Sequence, residues 1–549
     1  MRILRQLDSP LDGLLRRAAA RAGDRPAVTT EGYATEGDST EGESTTFEAL
    51  DREADRVAHW IAGALRRADS AVLVACALDA AFPALYFGAV RSGRLLALLD
   101  PAAGSAAARE LCTVAGAEVA FVPGPLAELL TAEAEAGRLP GLHTIVVTDG
   151  DNDGVAGATG GGARGSGYGA GSAGADEERS GSALSVPLAD VLNAVPGTPF
   201  RTPVGDLDAV ACVQLVPHPA AGLREVRLSH RNLLANAAQI AVAHQLDPAS
   251  VVVNQMPAYH PALLGAAVHA GAEQVLVSDT DPCAGMTVSR SRQATHYYGL
   301  STRLARLAED ERLADHRTVL PGGRLRAVLS AGVALEPVVA RRLGDTLRVP
   351  VLQGYGVGGL SALSHVQAPG ARPERGAVGV PLPGTECRVV DPVTRAPAPV
   401  WSDGEVEIRG PQVPSGRADG WLATGDVGYL DLDDQLHLVR RSGSPFACGD
   451  AVVAPGVVER VLRQDPRVAD CAVADVPDPV TGTSVWAGVV LREEVRDAPD
   501  VLDAVTERAN AQLGPGEQIR RLEAVEALPR RIGVKPVPRM LVRQYLTAA

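Results

Sequence analysis

The sequence contains a single lysine, Lys535, in the stretch "EALPRRIGVKPVPRM", and the rest of its 52 lysine and arginine residues are arginines. An ammonium group is a compact charge on a flexible stem and can insert between two crowded anionic oxygens, whereas the planar guanidinium demands a fork-shaped partner. The sequence therefore raises the question of what a lysine does at position 535 that an arginine could not do. The alternative is that one lysine survived by chance in an arginine-rich chain.

A glycine-rich stretch, "GYGVGG" at residues 354–359, satisfies the Gly-x-Gly-x-x-Gly pattern of dinucleotide-binding folds and follows the strand-like "RVPVL". That fold needs a long helix directly after the glycines. Pro369 and Pro373 interrupt the next segment, which makes dinucleotide binding the less favoured interpretation. The chain has no Gly-x-Ser-x-Gly elbow, and a Walker loop would need a second lysine, so neither a serine hydrolase nor a P-loop NTPase is expected.

Composition excludes several other classes of protein. The seven cysteines include no Cys-x-x-Cys pair, so no metal site or disulfide framework is predicted and a reducing compartment fits best. A net charge of -14, without long basic runs, argues against nucleic-acid partners. The first residues contain no long apolar segment of the kind found in secretory signals, and we expect a cytoplasmic protein.

One apolar window, "AVLVACALDAAFPALYFGAV", is long enough to raise the question of a membrane span. Asp79 and Pro83 lie at its centre, and an aspartate at mid-bilayer costs about 2.5 to 3.5 kcal/mol. A buried strand from Ala71 to Ala77, a turn at Asp79 and a packed helix explain the same residues. We expect no membrane span.

The candidate site residues lie in a sequence where short Val/Ile/Leu-rich runs alternate with helix-like segments such as "RNLLANAAQIAVAHQL". This alternation predicts an α/β fold. The last hundred residues repeat the alternation on a smaller scale, with helices at "GVVERVLRQD" and "VLDAVTERANAQLG" and strands at "DCAVADVP", "VWAGVVLRE" and "LEAVEAL". Two segments are predicted to be solvated insertions: the Thr-Glu-Gly repeats at about 29–46 and the Gly/Ser/Ala-rich stretch at about 149–183.

The order of these segments resembles the adenylate-forming (AMP-binding) superfamily, which contains acyl- and aryl-CoA ligases and the adenylation domains of peptide synthetases. The similar stretches are "TTFEALDREADRVAHWI", "AVRSGRLLALLDP", "VRLSHRNLL", "MPAYHPALLG", "LRAVLSAGVAL", "VLQGYGVGG", "GEVEIRGPQV", "GWLATGDVGYLDLDDQLHLVRRSG" and "VVAPGVVERVLRQDPRVADCAVADVPD". The resemblance covers nearly the whole chain. It implies a large multi-subdomain α/β domain at 1–440 and a small, mobile α+β lid domain at 441–549, with the active site between them.

The resemblance also implies a mechanism in which a carboxylate attacks the α-phosphate of ATP, and a thiol or amine then takes the acyl group. Lys535 stands where the family places the lysine that contacts the carboxylate and α-phosphate oxygens. His260 stands in the aromatic-His segment at the acyl pocket, although a histidine packed in the core is an alternative.

The nucleoside contacts of the family have counterparts here. Asp426 and Arg441 match the residues that hold the ribose, and Tyr355 matches the aromatic side chain against which adenine packs. Gly332 and Gly354 would let the backbone approach the nucleotide. Taken alone, Asp426 would be interpreted as a turn residue after a strand, and the similar stretch around it favours the ribose-binding role instead.

The phosphate loop departs from the family pattern. Where the family has Thr-Ser-Gly-Thr-Thr-Gly-x-Pro-Lys-Gly, this chain has "VPHPAAGLRE", in which only Arg224 keeps a positive charge. Pro217 and Pro219 remove backbone N–H groups, and Glu225 would repel a polyphosphate. The Thr-Glu pair that would bind phosphate and magnesium is replaced by Gly358 and Gly359. In the hinge, the family's acidic residue is replaced by Ser444.

These observations leave three hypotheses: an acid-activating ligase with an altered phosphate loop, a relative that transfers acyl groups without ATP, and a noncatalytic scaffold. The ligase is the favoured hypothesis. The expected ligands are a small carboxylic acid and ATP, AMP or an acyl-adenylate, with magnesium in doubt. Coenzyme A, a phosphopantetheine acyl carrier protein or an amine would accept the acyl group.

Overall fold

A computed structural model describes residues 9–525 and 528, except 34–38, 41, 68, 150–182, 204, 219–221, 315–323, 358, 415–418, 441–444, 479–481 and 496–499. The fold is mixed α/β, with a large N-terminal part and a smaller C-terminal part. Lys535, Arg441 and most of the predicted insertion at 149–183 lie outside the described residues.

The first sheet has seven strands and is parallel apart from one edge hairpin. In spatial order its strands are β11 (Gly222–Ser229), β10 (Val210–His218), β6 (Leu95–Leu99), β5 (Ala71–Ala75), β7 (Ala117–Val122), β8 (Thr144–Val147) and β9 (Leu184–Pro187). Every residue of β5 and β7 is buried. Such continuous apolar runs are typical of parallel strands that are covered on both faces.

The second sheet has thirteen strands. In spatial order they are β19 (Glu386–Val390), β20 (Gly404–Arg409), β21 (Leu422–Leu430), β22 (Leu436–Arg440), β18 (Ala377–Pro381), β17 (His365–Val366), β16 (Val351–Tyr355), β15 (Ala327–Ala331), β14 (His296–Leu300), β12 (Val251–Gln255), β13 (Glu273–Leu276), β1 (Pro26–Thr30) and β4 (Ser44–Thr46). The strands from β16 to β1 are parallel, and those from β16 to β19 are antiparallel. A two-stranded hairpin, β2 (Gly32–Tyr33) with β3 (Ser39–Thr40), lies between β1 and β4 in the chain.

Helices cover both sheets. They are α1 (Gly13–Ala22), α2 (Phe47–Ala64), α3 (Ala81–Arg91), α4 (Ser105–Ala115), α5 (Gly124–Glu135), α6 (Leu188–Asn193), α7 (His230–Ala243), α8 (Pro261–Ala270), α9 (Ala284–Ser291), α10 (Ser301–Glu309) and α11 (Pro337–Leu347). The largest core cluster joins α1, α2, α3, α7 and α8 to strands of both sheets. A capping box between Ser229 and Asn232 starts α7 directly after β11.

The C-terminal part forms a small core of its own, to which Ala106 of α4 also contributes. Its elements are β23 (Phe446–Cys448), β24 (Ala451–Val453), α12 (Pro455–Arg463), β25 (Val468–Asp478), β26 (Gly482–Leu491), a short 3-10 helix (Glu493–Val495), α13 (Val501–Asn510) and β27 (Ile519–Ala524). β25 and β26 are antiparallel, and β27 joins β26 in parallel. The two expected helices and the first two strands are thereby confirmed, whereas β27 begins before the stretch expected as the third strand, 522–528, and shares only residues 522–524 with it.

The apolar window with Asp79 at its centre folds as expected. β5 is a buried strand, and α3 follows after a turn in which Asp79 Oδ1 accepts a hydrogen bond from the backbone N–H of Phe82 at 2.8 Å. Among the described residues, no helix has the length and apolar character needed to cross a membrane.

The predicted insertion at 29–46 is narrower than expected, because its two ends are strands of the second sheet. Val28 pairs with Thr45, and Thr29 pairs with Ser44. The β-branched threonines at the ends of the expected solvated repeat suit a pleated sheet edge.

Candidate functional site

Most of the predicted site residues follow or lie near the carboxyl ends of parallel strands in the second sheet. His260 comes shortly after β12, Gly332 directly follows β15, and Tyr355 is the last residue of β16. Because these strands run parallel, their carboxyl ends meet at one edge of the sheet. In open α/β sheets, ligands bind in the crevice outside this edge.

The structure brings Tyr355 and Asp426 together from positions 71 residues apart. The phenolic O–H of Tyr355 donates a hydrogen bond of 2.8 Å to Asp426 Oδ2. Both side chains are 1% exposed. Asp426 lies within β21, and its backbone N–H donates to the hydroxyl of Thr424 at 3.0 Å. Asp426 is therefore a fixed, buried carboxylate rather than a solvent-exposed turn residue.

Glycines near this pair leave the backbone without side chains at three positions. At Gly332, where φ is +94°, a Cβ would lie 2.6 Å from Leu300 Cδ1 and 3.3 Å from Val452 Cγ2. At Gly356 a Cβ would lie 1.7 Å from the carbonyl oxygen of Ala362, a contact that no side chain could adopt. Gly354 is less restricted, because a Cβ there would meet Leu363 at 3.1 Å.

His260 is the N-cap of α8, and its Nδ1 accepts a hydrogen bond from the backbone N–H of Ala262 at 3.2 Å. The residue is exposed, which contradicts the alternative of a histidine packed in the core. Enough protein nevertheless surrounds the ring to desolvate it and lower its pKa to about 4. With a pKa of about 4, the imidazole of His260 is neutral at physiological pH.

Tyr259 precedes His260 and was not singled out from the sequence. Its side chain is fully buried, with 0% exposure, and its ring centroid lies 5.4 Å from that of Phe82. Its hydroxyl has no hydrogen-bond partner within the described part of the chain. Its backbone N–H donates to the carbonyl of Cys76 at 2.9 Å, which joins the end of β5 to the segment after β12.

Two carboxyl groups at strand ends of the first sheet have pKa values above the usual range. Burial raises the pKa of Asp79, after β5, to about 6. Burial also raises the pKa of Asp100, which directly follows β6. Asp100 lies in the family-like stretch "AVRSGRLLALLDP", but the sequence gives no sign that the pKa of either carboxyl group is raised.

The segment that replaces the phosphate loop contributes to an antiparallel strand pair, β10 and β11. β10 and β11 pair in register up to His218 and Gly222, with Val216 opposite Arg224. The side chain of Arg224 reaches Gly359, where a Cβ would lie 2.7 Å from its Nη2 atom. Glu225 is exposed and pairs with Arg227, so its carboxylate is held away from Arg224 on the other side of the strand.

The small C-terminal part closes one side of the crevice. Asp450, between β23 and β24, forms ion pairs of 3.1 Å with Arg303 and 2.9 Å with Arg306, both on α10. Arg303 is 3% exposed and also donates to the carbonyl of Gln255 at the end of β12. No local sequence pattern indicates this contact, because it joins residues about 150 positions apart.

Among the described residues, Asp281, Cys283 and Asp310 are grouped closely enough to hold a metal ion. Arg312 already contacts this group, with Nη2 at 2.7 Å from both Asp281 Oδ1 and Asp310 Oδ2. A guanidinium in that position neutralises the two carboxylates, so the cluster is better explained as an ion-pair network.

The sequence profile named AMP-binding enzyme matches residues 15–168 and 225–416, more than half of the chain. The chain belongs to this family. The profile of the AMP-binding enzyme C-terminal domain matches residues 457–533. The first profile leaves out residues 169–224, which include most of the altered phosphate loop.

Curated relatives include several CoA ligases. A long-chain-fatty-acid–CoA ligase of Bacillus subtilis is 25% identical over 353 residues, which span 61% of this chain and 62% of that enzyme. A sulfoacetate–CoA ligase of Cupriavidus necator is 29% identical over 63% of this chain and 70% of its own length. An oxalate–CoA ligase of Arabidopsis thaliana is 27% identical over 68% and 78%, respectively.

Solved structures share the fold over almost the whole chain. The o-succinylbenzoate CoA synthetase of Bacillus subtilis, bound with a product analogue, has a TM-score of 0.75 at 18% identity and covers 97% of this chain and 98% of its own. An amide bond synthetase of Marinactinospora thermotolerans has a TM-score of 0.72 at 23% identity, covering 97% and 99%. These similarities establish the two-part fold.

Proposed function

We propose that this protein is an acid-activating ligase that holds a carboxylic acid as its acyl-adenylate and passes the acyl group to a thiol or an amine. The observation that carries the proposal is the buried pair of Tyr355 and Asp426 at the end of β16, beside glycines that leave the backbone bare. Membership of the AMP-binding enzyme family supports the same function.

The proposed roles follow the matched positions. Asp426 and Arg441 would hold the ribose hydroxyls, Tyr355 would pack against adenine, and Gly332 and Gly354 would allow close approach of the nucleotide. In the arrangement described, Tyr355 and Asp426 are each only 1% exposed, so nucleoside binding must displace neighbouring segments of the cleft. The small domain, which we place from about residue 441, supplies such a mobile wall.

Lys535 is the proposed catalytic cation, close to the carboxylate and the α-phosphate. His260, neutral because its pKa is about 4, would form part of the wall of the acyl pocket rather than pair with a charged acid. Arg224 would contact the phosphate. Together these groups would position the reactants and compensate negative charge, which are the main demands of phosphoryl chemistry.

The substrate is expected to be a small carboxylic acid. The relatives named above act on long-chain fatty acids, sulfoacetate and oxalate, so the class of acid differs widely among them. One structural neighbour is described as a CoA synthetase and another as an amide bond synthetase. We therefore propose coenzyme A, a phosphopantetheine carrier or an amine as the acceptor, in the reducing environment of the cytoplasm.

Calorimetry and an activity assay test the proposal together. We expect AMP to bind more tightly than ATP, because the nucleoside contacts are retained and the phosphate loop is altered. Hydroxamate formation across a panel of carboxylic acids should reveal turnover, and Lys535→Arg should lower it about a hundred- to a thousandfold while the melting temperature stays the same. Equal turnover by wild type and Lys535→Arg would contradict the role of Lys535.

The hairpin of β10 and β11 favours a second candidate, a homologue that binds an adenylate or acyl group without making it from ATP. Its strands pair up to His218 and Gly222, and Pro217 and Pro219 bring no N–H groups to a phosphate. Binding of AMP without turnover of any acid by wild type would favour this candidate. If no nucleotide binds, a noncatalytic scaffold becomes the better explanation.

A further inference from the structure

The hairpin places the guanidinium of Arg224 beside position 359, where this chain has glycine in place of the glutamate of the family's Thr-Glu pair. Arg224 extends from β11 to the loop after β16, and an ideal Cβ on Gly359 would lie only 2.7 Å from its Nη2 atom. Leu422 lines the same space at 3.8 Å. A side chain at position 359 would meet the tip of the Arg224 side chain, which would have to move aside.

The backbone at Gly359 reinforces this arrangement. Its φ is +119°, a conformation that residues with a side chain rarely adopt. A glutamate or aspartate at this position would carry a backbone cost as well as a steric one. The backbone conformation at Gly359 thus disfavours an acidic residue beside Arg224.

The charges of this region do not suit a divalent cation. The sequence has no acidic residue between Asp345 and Glu374, so the loop after β16 offers no carboxylate. Asp426 lies beside the loop, but it is 1% exposed and its Oδ2 atom accepts a hydrogen bond from Tyr355. Mg²⁺ requires near-octahedral oxygen ligands, commonly including one or two carboxylates, and a guanidinium beside it would repel it.

We infer that Arg224 takes the place of the metal ion, so that this site binds the phosphate of an adenylate without magnesium. This inference rests on the proposed function and adds that the ligand carries a single phosphate and no bound magnesium ion. Arginine offers a fixed fork of N–H donors that matches two phosphate oxygens and stays charged at all physiological pH values. One such group suits the single phosphate of AMP or of an acyl-adenylate better than the several charges of a triphosphate.

On this basis AMP should bind equally well in EDTA and in millimolar magnesium chloride, as measured by titration calorimetry on the full-length protein. Arg224→Ala should weaken AMP binding about ten- to a hundredfold, the usual effect of losing a hydrogen bond to a charged group. Arg224→Lys should lose less, because it keeps the charge and gives up only the fork.

Arg227→Ala is the matched control. Arg227 lies on the same strand, but it pairs with the exposed Glu225 rather than reaching Gly359, so its loss should leave AMP affinity unchanged. Melting temperatures of all variants, measured in parallel, separate a local effect from unfolding. Arg224→Lys keeps the positive charge and a long side chain. It therefore measures the effect of losing the forked N–H donors even if Arg224→Ala is unstable.

Two results would overturn the inference in distinguishable ways. AMP binding that depends on magnesium and is indifferent to Arg224→Ala would refute the inference and leave the proposed ligase function in place. Failure of the folded wild-type protein to bind AMP, with or without magnesium, would refute the proposed nucleotide site and the inference with it.

Discussion

The hydroxyl of Tyr355 donates a hydrogen bond to the buried carboxylate of Asp426, and deleting the hydroxyl oxygen removes this contact. Tyr355→Phe deletes the hydrogen bond of 2.8 Å to Asp426, a carboxylate that is 1% exposed. A hydrogen bond to a charged group contributes about 1.5 to 3 kcal/mol, so we expect that loss in the free energy of unfolding and weaker AMP binding. Denaturant unfolding and calorimetry measure both. Tyr429→Phe, on the same strand as Asp426, should change neither.

Asp79 predicts a pH dependence of stability. Its pKa of about 6 in the folded protein exceeds the unfolded value of 3.8, so between these values the folded state holds a proton that the unfolded state has lost. The stability contributed by Asp79 therefore falls as pH rises from about 4 to 6, and stays lost above that.

Asp79→Asn mimics the neutral carboxyl group and can still accept the hydrogen bond from Phe82. We expect it to raise the free energy of unfolding by roughly 1 to 3 kcal/mol at pH 7.5 and to have little effect at pH 4. Denaturant titrations at pH 7.5 and at pH 4 measure the free energy of unfolding of wild type and variant. Asp69→Asn, in a side chain that is 87% exposed, provides the control, and the same gain for both variants would contradict the assignment.

At the scale of residues, the sequence singled out individual side chains but not how they are packed. Tyr355 and Asp426 could be proposed because each lies in a recognisable stretch, and the structure joins them. Their burial, and the desolvation of His260 and Asp79, depend on packing by segments distant in the chain. The contact of Arg224 with Gly359 is of this kind, since neither residue indicates the other.

At the scale of elements, sequence patterns were reliable where hydrophobic runs were continuous. β5, β25, β26 and α12 all lie where the apolar patterns predicted strands and helices. The predicted insertion with the Thr-Glu-Gly repeats was too wide, because composition alone does not show that a threonine-rich segment can pair at a sheet edge. The structure shows β4 pairing with β1, and no local pattern encodes that partner.

The Gly/Ser/Ala-rich insertion leads to a prediction at this scale. Residues 151–182 connect β8 to β9, which are parallel neighbours with Thr144 opposite Leu184. A connection must therefore cross the face of the sheet and run back along the length of β8, about 13 Å, for which a linker of about twelve residues suffices. Replacing 151–182 by such a Gly/Ser linker should change the free energy of unfolding by less than about 1 kcal/mol. A larger loss would show that the insertion packs against the domain.

At the scale of the whole molecule, two glycines let the small C-terminal part approach the large one backbone to backbone. A Cβ on Gly104 would lie 2.2 Å from the carbonyl oxygen of Gln512, and a Cβ on Gly514 would lie 2.1 Å from that of Ala102. The N–H of Ala106 donates to the same Gln512 carbonyl at 3.3 Å. Together with the ion pairs of Asp450, these contacts define one orientation of the small part.

Gly104→Ala tests that orientation without touching either core. Backbone atoms cannot move aside as a side chain can, so the added methyl group should separate the loop at 511–514 from the start of α4. Hydrogen exchange measured by mass spectrometry should then be faster for peptides covering 102–106 and 511–517, and unchanged for the buried strands β5 and β26. Gly63→Ala is the matched control, because Gly63 lies in α2, where a Cβ would have no atom within 4 Å, and alanine favours a helix. Unchanged exchange at both segments in Gly104→Ala would mean that this contact does not hold the two parts together in solution.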